Sequence, residues 1–224
     1  MLGLSDEDRK RIGEAITAAE RGSDGEIVAA ATPVSDAYHD VALHWAVGVL
    51  IAVLAWFAAF PRTLTWYDEL LFGGWREVPG PHELLTLLMV LAVLMFTIVL
   101  LLLRIPVLRM ALTPGTTKQR RVRRRGIMVF KAGAERRTVG RTGVLIFLSL
   151  AERRAEIVAD EALHKVTSED VWGEAMAALT TELKAGREAD GLVAAIGLVG
   201  AVLATHFPKT AADTNEIPDR LVEL

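Results

Sequence analysis

Two unbroken apolar runs constrain this chain more than any other feature. Val41 to Phe60 is apolar apart from His44 and is closed by Pro61 and Arg62. Leu84 to Leu103 has only Thr86 and Thr97 as polar side chains, and Arg104 closes it. Each run holds 20 residues, the length at which a helix rising about 1.5 Å per residue crosses a bilayer core. Threonine is tolerated there because its hydroxyl bonds its own helix backbone. A buried helix of a soluble core is the alternative, with more weight for the first run because Asp40 and His44 stand at its start. The chain therefore reads as an integral membrane protein in which a transmembrane hairpin, residues 41–104, interrupts a small water-soluble domain.

Charge orients the hairpin. The connection 61–83 carries Trp66, Tyr67 and Trp75, as interfacial aromatics would stand, and only Arg62 and Arg76 as basic residues. The far flank, Arg104 to Arg141, has twelve Lys and Arg against one acid, Glu135. Positive-inside bias places this flank in the cytoplasm of a multi-pass inner-membrane protein. Two spans return the chain to its starting side, so both termini and the soluble domain are expected to be cytoplasmic. A third apolar stretch, Gly191 to Phe207, is rich in Ala and Gly and contains His206. Its seventeen residues sit at the short limit for spanning, and it reads as a helix of the domain; a spanning role would move the C-terminus outside.

The soluble parts show regular patterning. Ser5 followed by Asp6, Glu7 and Asp8 marks a helix start, and Ile12, Ala15, Ile16 and Ala19 give it one apolar stripe. Glu26 to Thr32 reads as a strand ended by Pro33. Past the hairpin, Thr113-Pro114-Gly115-Thr116 makes a turn, and Thr116 or Thr117 is expected to cap a basic helix reaching about Gly133, with Val122, Val129 and Phe130 as its apolar side. Gly143 to Leu150 is almost wholly aliphatic or aromatic, as in a strand covered on both faces. A polar turn and a second strand, Ala155 to Ala159, follow, then a helix capped by Thr167 or Ser168 that aligns Trp172, Ala175, Met176, Leu179 and Leu183. One strand precedes the hairpin and two follow it, so the sheet is complete only when both sides meet. The expected organisation is residues 1–40 and 105–210 as one domain, 41–104 as the hairpin with spans near 41–60 and 84–103, and 211–224 as a polar tail.

The run Thr142-Gly143-Val144-Leu145-Ile146-Phe147-Leu148-Ser149-Leu150-Ala151-Glu152-Arg153, followed by Ala155-Glu156-Ile157-Val158-Ala159-Asp160, resembles the TPM domain family. The likeness covers about 140–185, and the N-terminal helix and strand look like the family's opening elements. It implies an α/β (α+β) TPM-like domain, a small sheet flanked by helices, here interrupted by a two-helix transmembrane hairpin. It also implies an auxiliary role in membrane complexes, with phosphatase activity and divalent-cation binding attributed to some members. Many members display the domain outside the cytoplasm, whereas the basic flank argues for the inside. The family's Asp-Asn-Gly before the first hairpin strand is replaced by Arg141-Thr142-Gly143, and its Gly-Tyr-Gly-x-Glu run by Ala159-Asp160-Glu161-Ala162-Leu163-His164.

Two clusters are candidate sites. Asp160, Glu161 and Asp170, with His164 and Glu169 nearby, are hard ligands suited to Ca²⁺ or Mg²⁺; solvated acids ahead of a helix are the plainer account. Lys118, Arg120, Arg121, Arg123, Arg124 and Arg125 form the sharpest charge feature. Directly after a cytoplasmic span they suit anionic lipid; the aromatic interleaving of a single-strand nucleic-acid binder is missing, and nucleic acid is not expected. Scattered histidines, the lack of cysteine, and the lack of a P-loop or nucleophile elbow give no support to zinc, thiol, nucleotide or triad chemistry. The leading expectation is a non-catalytic accessory or scaffold factor that binds another membrane protein, with self-association left open. A divalent-cation-dependent phosphatase and an anionic-lipid sensor are the alternatives.

Overall fold

The computed structural model describes residues 4–73, 79–133, 142–161, 163, 169–210 and 218–224; the side chains of Glu169 and Asp170 fall outside that description. The chain divides into two compact units, Met1–Ala37 with Pro114–Leu224, and Tyr38–Thr113.

In the first unit, α1 (Asp6–Glu20) starts on a capping box: the Ser5 hydroxyl accepts from the Asp8 amide at 3.1 Å, and the Asp8 carboxylate accepts from the Ser5 amide at 3.0 Å. Strand β1 (Glu26–Thr32) pairs in parallel with β2 (Gly143–Ser149), from Glu26 opposite Gly143 to Thr32 opposite Ser149. Strand β3 (Arg154–Ala159) returns antiparallel to β2 through a tight turn in which Arg153 adopts φ 48°. The mixed sheet has the order β3-β2-β1-β4.

All seven residues of β2 are buried because helices cover both faces. On one face Ile27, Ala29, Val144, Ile146 and Leu148 pack with α1, α7 (Gly173–Lys184) and α8 (Glu188–His206). On the other, Ala30, Leu145 and Phe147 pack against Val122 and Phe130 of the basic helix α6 (Gly115–Gly133). The apolar side expected of α6 is thus the side that meets the sheet. Helix α8 contains the Gly191–Phe207 stretch except Phe207, its C-cap, and packs into the domain: Leu192, Ala195, Ile196, Val199 and Leu203 are fully buried.

The second unit contains α2 (His39–Ala59), α3 (Pro61–Phe72), α4 (Pro81–Leu102) and α5 (Pro106–Leu112). Phe57, late in α2, meets Leu87, early in α4, with Leu64 of α3 completing the cluster. Three helices of the chain, α2, α4 and α8, are long and apolar enough to cross a membrane; 44% of the apolar window of α8 is buried, against 17% and 11% for α2 and α4.

The structure corrects three local expectations and adds one short helix. The connection after Phe60 is not loop throughout: Pro61 occupies the first turn of α3, where its missing amide costs nothing. The short α5 separates the second long helix from the Thr113 turn. Thr116 and Thr117 lie inside α6 rather than capping it, and the Pro114 carbonyl accepts from the amides of Thr117 and Lys118. Finally, the end of the expected polar tail belongs to the sheet. Strand β4 (Val222–Glu223) pairs in parallel with Ala30 and Ala31, and Leu221 is buried in the core. Thr167 and Ser168, expected to cap α7, lie outside the described residues.

Candidate functional site

Asp160, directly after β3, has a carboxylate committed to the backbone. Its Oδ2 accepts from the Gly143 amide at 3.1 Å, and its own amide donates to the Gly143 carbonyl at 3.0 Å. The side chain is buried and closes the β2/β3 ladder at its open end, whereas Glu161 is exposed. His164 and the Asp170 side chain lie outside the described residues. Among the described residues, no three His, Asp or Glu side chains converge as a metal site requires. At the opposite end of β2, buried Glu152 accepts from the Ser35 amide at 2.9 Å and from the hydroxyls of Ser35 and Ser149. This ties the segment leaving β1 to the β2/β3 turn.

The basic cluster is sorted by the helix that carries it. At 100° per residue, Val122, Gly126 and Phe130 point to the sheet, leaving Arg120 and Arg124 on the opposite, exposed side. Arg123 and Arg125 are exposed on the flanks, and Lys118 is half-buried. Two members of the helix are tied to the domain. Arg121 pairs with Asp36 at 3.0 Å. Gln119 donates to Glu156 and accepts from Arg154 at 2.5 Å. Burial pushes the Glu156 carboxyl up, opposed by Arg123, Gln119 and Arg154. A Cβ at position 126 would sit 3.4 Å from Phe147, an ordinary van der Waals contact.

A third site escaped the sequence reading. Thr17 and Glu20 of α1, Glu26 of β1, and Lys209 and Asp219 of the C-terminal segment line a pocket of about 170 Å³. Glu20 Oε1 accepts from the Ile27 amide at 2.7 Å, and Asp219 Oδ2 accepts from the Thr17 hydroxyl at 2.6 Å. Burial pushes the Glu20 carboxyl up to about 8; the Ile27 amide opposes this, and the neighbouring Glu26 and Asp219 add to it. A carboxyl in that range exchanges a proton near neutral pH. One signal was present in the sequence: Glu20 ends a helix with no basic residue in its last turn, where the helix dipole disfavours an anion.

Comparison with known proteins adds to this geometry. Residues 108–202 match the family model of the TPM domain. The chain carries a TPM domain. The match takes in α6, β2, β3, α7 and most of α8, while α1 and β1 complete the TPM sheet and core from the other side of the hairpin. No curated protein is significantly similar to the chain. Among solved structures, the NMR structure of BA42 protein from the psychrophilic bacterium Bizionia argentinensis matches with a TM-score of 0.57 at 19% identity, covering 99% of this chain and 96% of that one. At that identity the likeness is one of fold.

Proposed function

We propose that this protein is a membrane-anchored TPM-domain accessory factor, held in the inner membrane by α2 and α4, with its TPM domain on the cytoplasmic side where it binds or stabilises other membrane proteins. One observation carries the anchoring. Helices α2 and α4 turn large apolar side chains outward all along their length, among them Ile51 at 61% exposure and Leu85 at 65%. A helix apolar on every side requires an apolar solvent. The aromatic residues Trp56, Phe60, Trp66 and Tyr67 gather at one end of this unit, as at a membrane interface. The outward Arg120 and Arg124 of α6, shortly past the second span, support contact with an anionic leaflet.

Membranes carrying the protein should retain it through alkaline carbonate and release it only to detergent. Topology reporters should place residue 70 outside and the C-terminus inside. In anionic nanodiscs the peptide 115–133 should exchange its amides more slowly than in phosphatidylcholine discs, and this difference should vanish in Arg120→Glu/Arg124→Glu. Carbonate release, or an inside signal at residue 70, counts against the reading, as does mild-detergent purification that repeatedly recovers no partner.

A further inference from the structure

The helix between the two spans carries an acid on its buried side. Leu64 and Asp68 lie one turn apart on α3, at 9% and 4% exposure. Leu64 joins the apolar core of the hairpin, whereas the Asp68 side chain faces the cavity below. The Asp68 side chain lines a cavity, and an ionisable side chain within a membrane-associated segment points to a ligand or transport role.

Asp68 and Leu71 share a cavity of about 360 Å³ with His82, Glu83, Leu87 and Val90 of α4. Glu83 is held at the start of α4, where its Oε2 accepts from the Gly80 amide at 3.0 Å. Along α4 the wall runs from His82 and Glu83 in its first turn through Thr86 to Leu87 and Val90. Carboxyl and apolar side chains thus line one cavity, with Leu71 and Phe72 completing it from α3. Among the described residues no metal-holding group of three exists, and the apolar wall suits a chain better than a hydrated ion.

We propose that this cavity binds a primary ammonium carried on an apolar chain, with the charge against Asp68 and Glu83 and the chain along Leu87 and Val90. The ammonium is that of an ethanolamine phospholipid headgroup or of a free long-chain amine. The assignment rests on the hairpin being a membrane anchor.

The full-length protein, in phosphatidylcholine nanodiscs doped with phosphatidylethanolamine, is examined by native mass spectrometry for retained lipid and titrated separately with dodecylammonium. Wild type should retain phosphatidylethanolamine at least tenfold over phosphatidylcholine; Asp68→Asn should abolish the preference and Asp68→Glu should keep it. Val90→Trp, which crowds the apolar wall, should weaken retention with both acids intact, and provides the test if Asp68→Asn does not fold. Binding of dodecylammonium that needs Asp68, without lipid preference, assigns the site to a free amine. Equal retention of both probes by wild type, Asp68→Asn and Val90→Trp overturns the site. Carbonate extraction of the same membranes separates the failures: release of wild type overturns the anchor, whereas retention with indifferent variants overturns only the ammonium site.

Discussion

Glu20 shows how a single side chain can make the fold depend on pH. Its carboxyl is buried, stands beside two other acids, and is pushed up to about 8 in the folded protein from an ordinary value of 4.5. The folded state therefore holds a proton that the unfolded chain releases, and stability falls as pH rises from about 4.5 to about 8. Glu20→Gln keeps an oxygen for the Ile27 amide and removes the titration. Thermal unfolding in detergent should show wild type and variant close together at pH 5, with the variant the more stable at pH 8.5; parallel pH profiles would exclude Glu20 as the source. Neither Glu20 nor Asp68 was legible as buried in the sequence, because both lie on helices whose exposed positions also carry acids. Burial of an acid is decided by what packs over it. Val122 and Phe130 were legible, because apolar spacing on a polar helix has one physical outlet.

At the scale of elements, the long apolar segments and strands β1, β2 and β3 could be read because each has enough residues to show a period or an unbroken run. The elements that were missed are short or atypical. Helix α5 has seven residues, β4 has two, and α3 begins on a proline that reads as a terminator. Strand β4 exists because β1 offers an open edge, to which its two residues add no pattern of their own. The small residues of α8 had a legible purpose, close packing, and the structure shows where. A Cβ on Gly200 would lie 2.5 Å from the Ala19 Cβ and 3.0 Å from its Cα, so glycine sets the approach of α8 to α1. Gly197, on the same helix, has nothing within 4 Å of such an atom. Gly200→Ala should destabilise the domain by about 1–3 kcal/mol, while Gly197→Ala should be neutral or stabilising by up to about 1 kcal/mol. Denaturant unfolding followed at Trp172 measures both, and equal effects would mean that helix propensity rather than the crossing decides.

For the whole molecule, the sequence separation between β1 and β2 is the consequential feature. Thr32 and Gly143 bracket the entire hairpin, yet their strands pair along their full length. Neither core cluster of the TPM domain contains a residue from 38–113. Both core clusters of the domain are therefore built from the two flanking segments. The ion pair between Asp36 and Arg121 joins the two flanks just beyond the excision points, and Arg121 lies about 9 Å along α6 from Gly115. A ten-residue Gly/Ser linker, reaching about 17 Å on average, should span the gap. Replacing residues 38–113 with it should give a water-soluble, monodisperse domain with dispersed amide resonances and slow exchange in β1 and β2. The closed loop is then far shorter than the natural one, which lowers the entropic cost of bringing the strands together. A product that precipitates, or stays compact with collapsed dispersion, would show that the domain needs the hairpin to order its sheet.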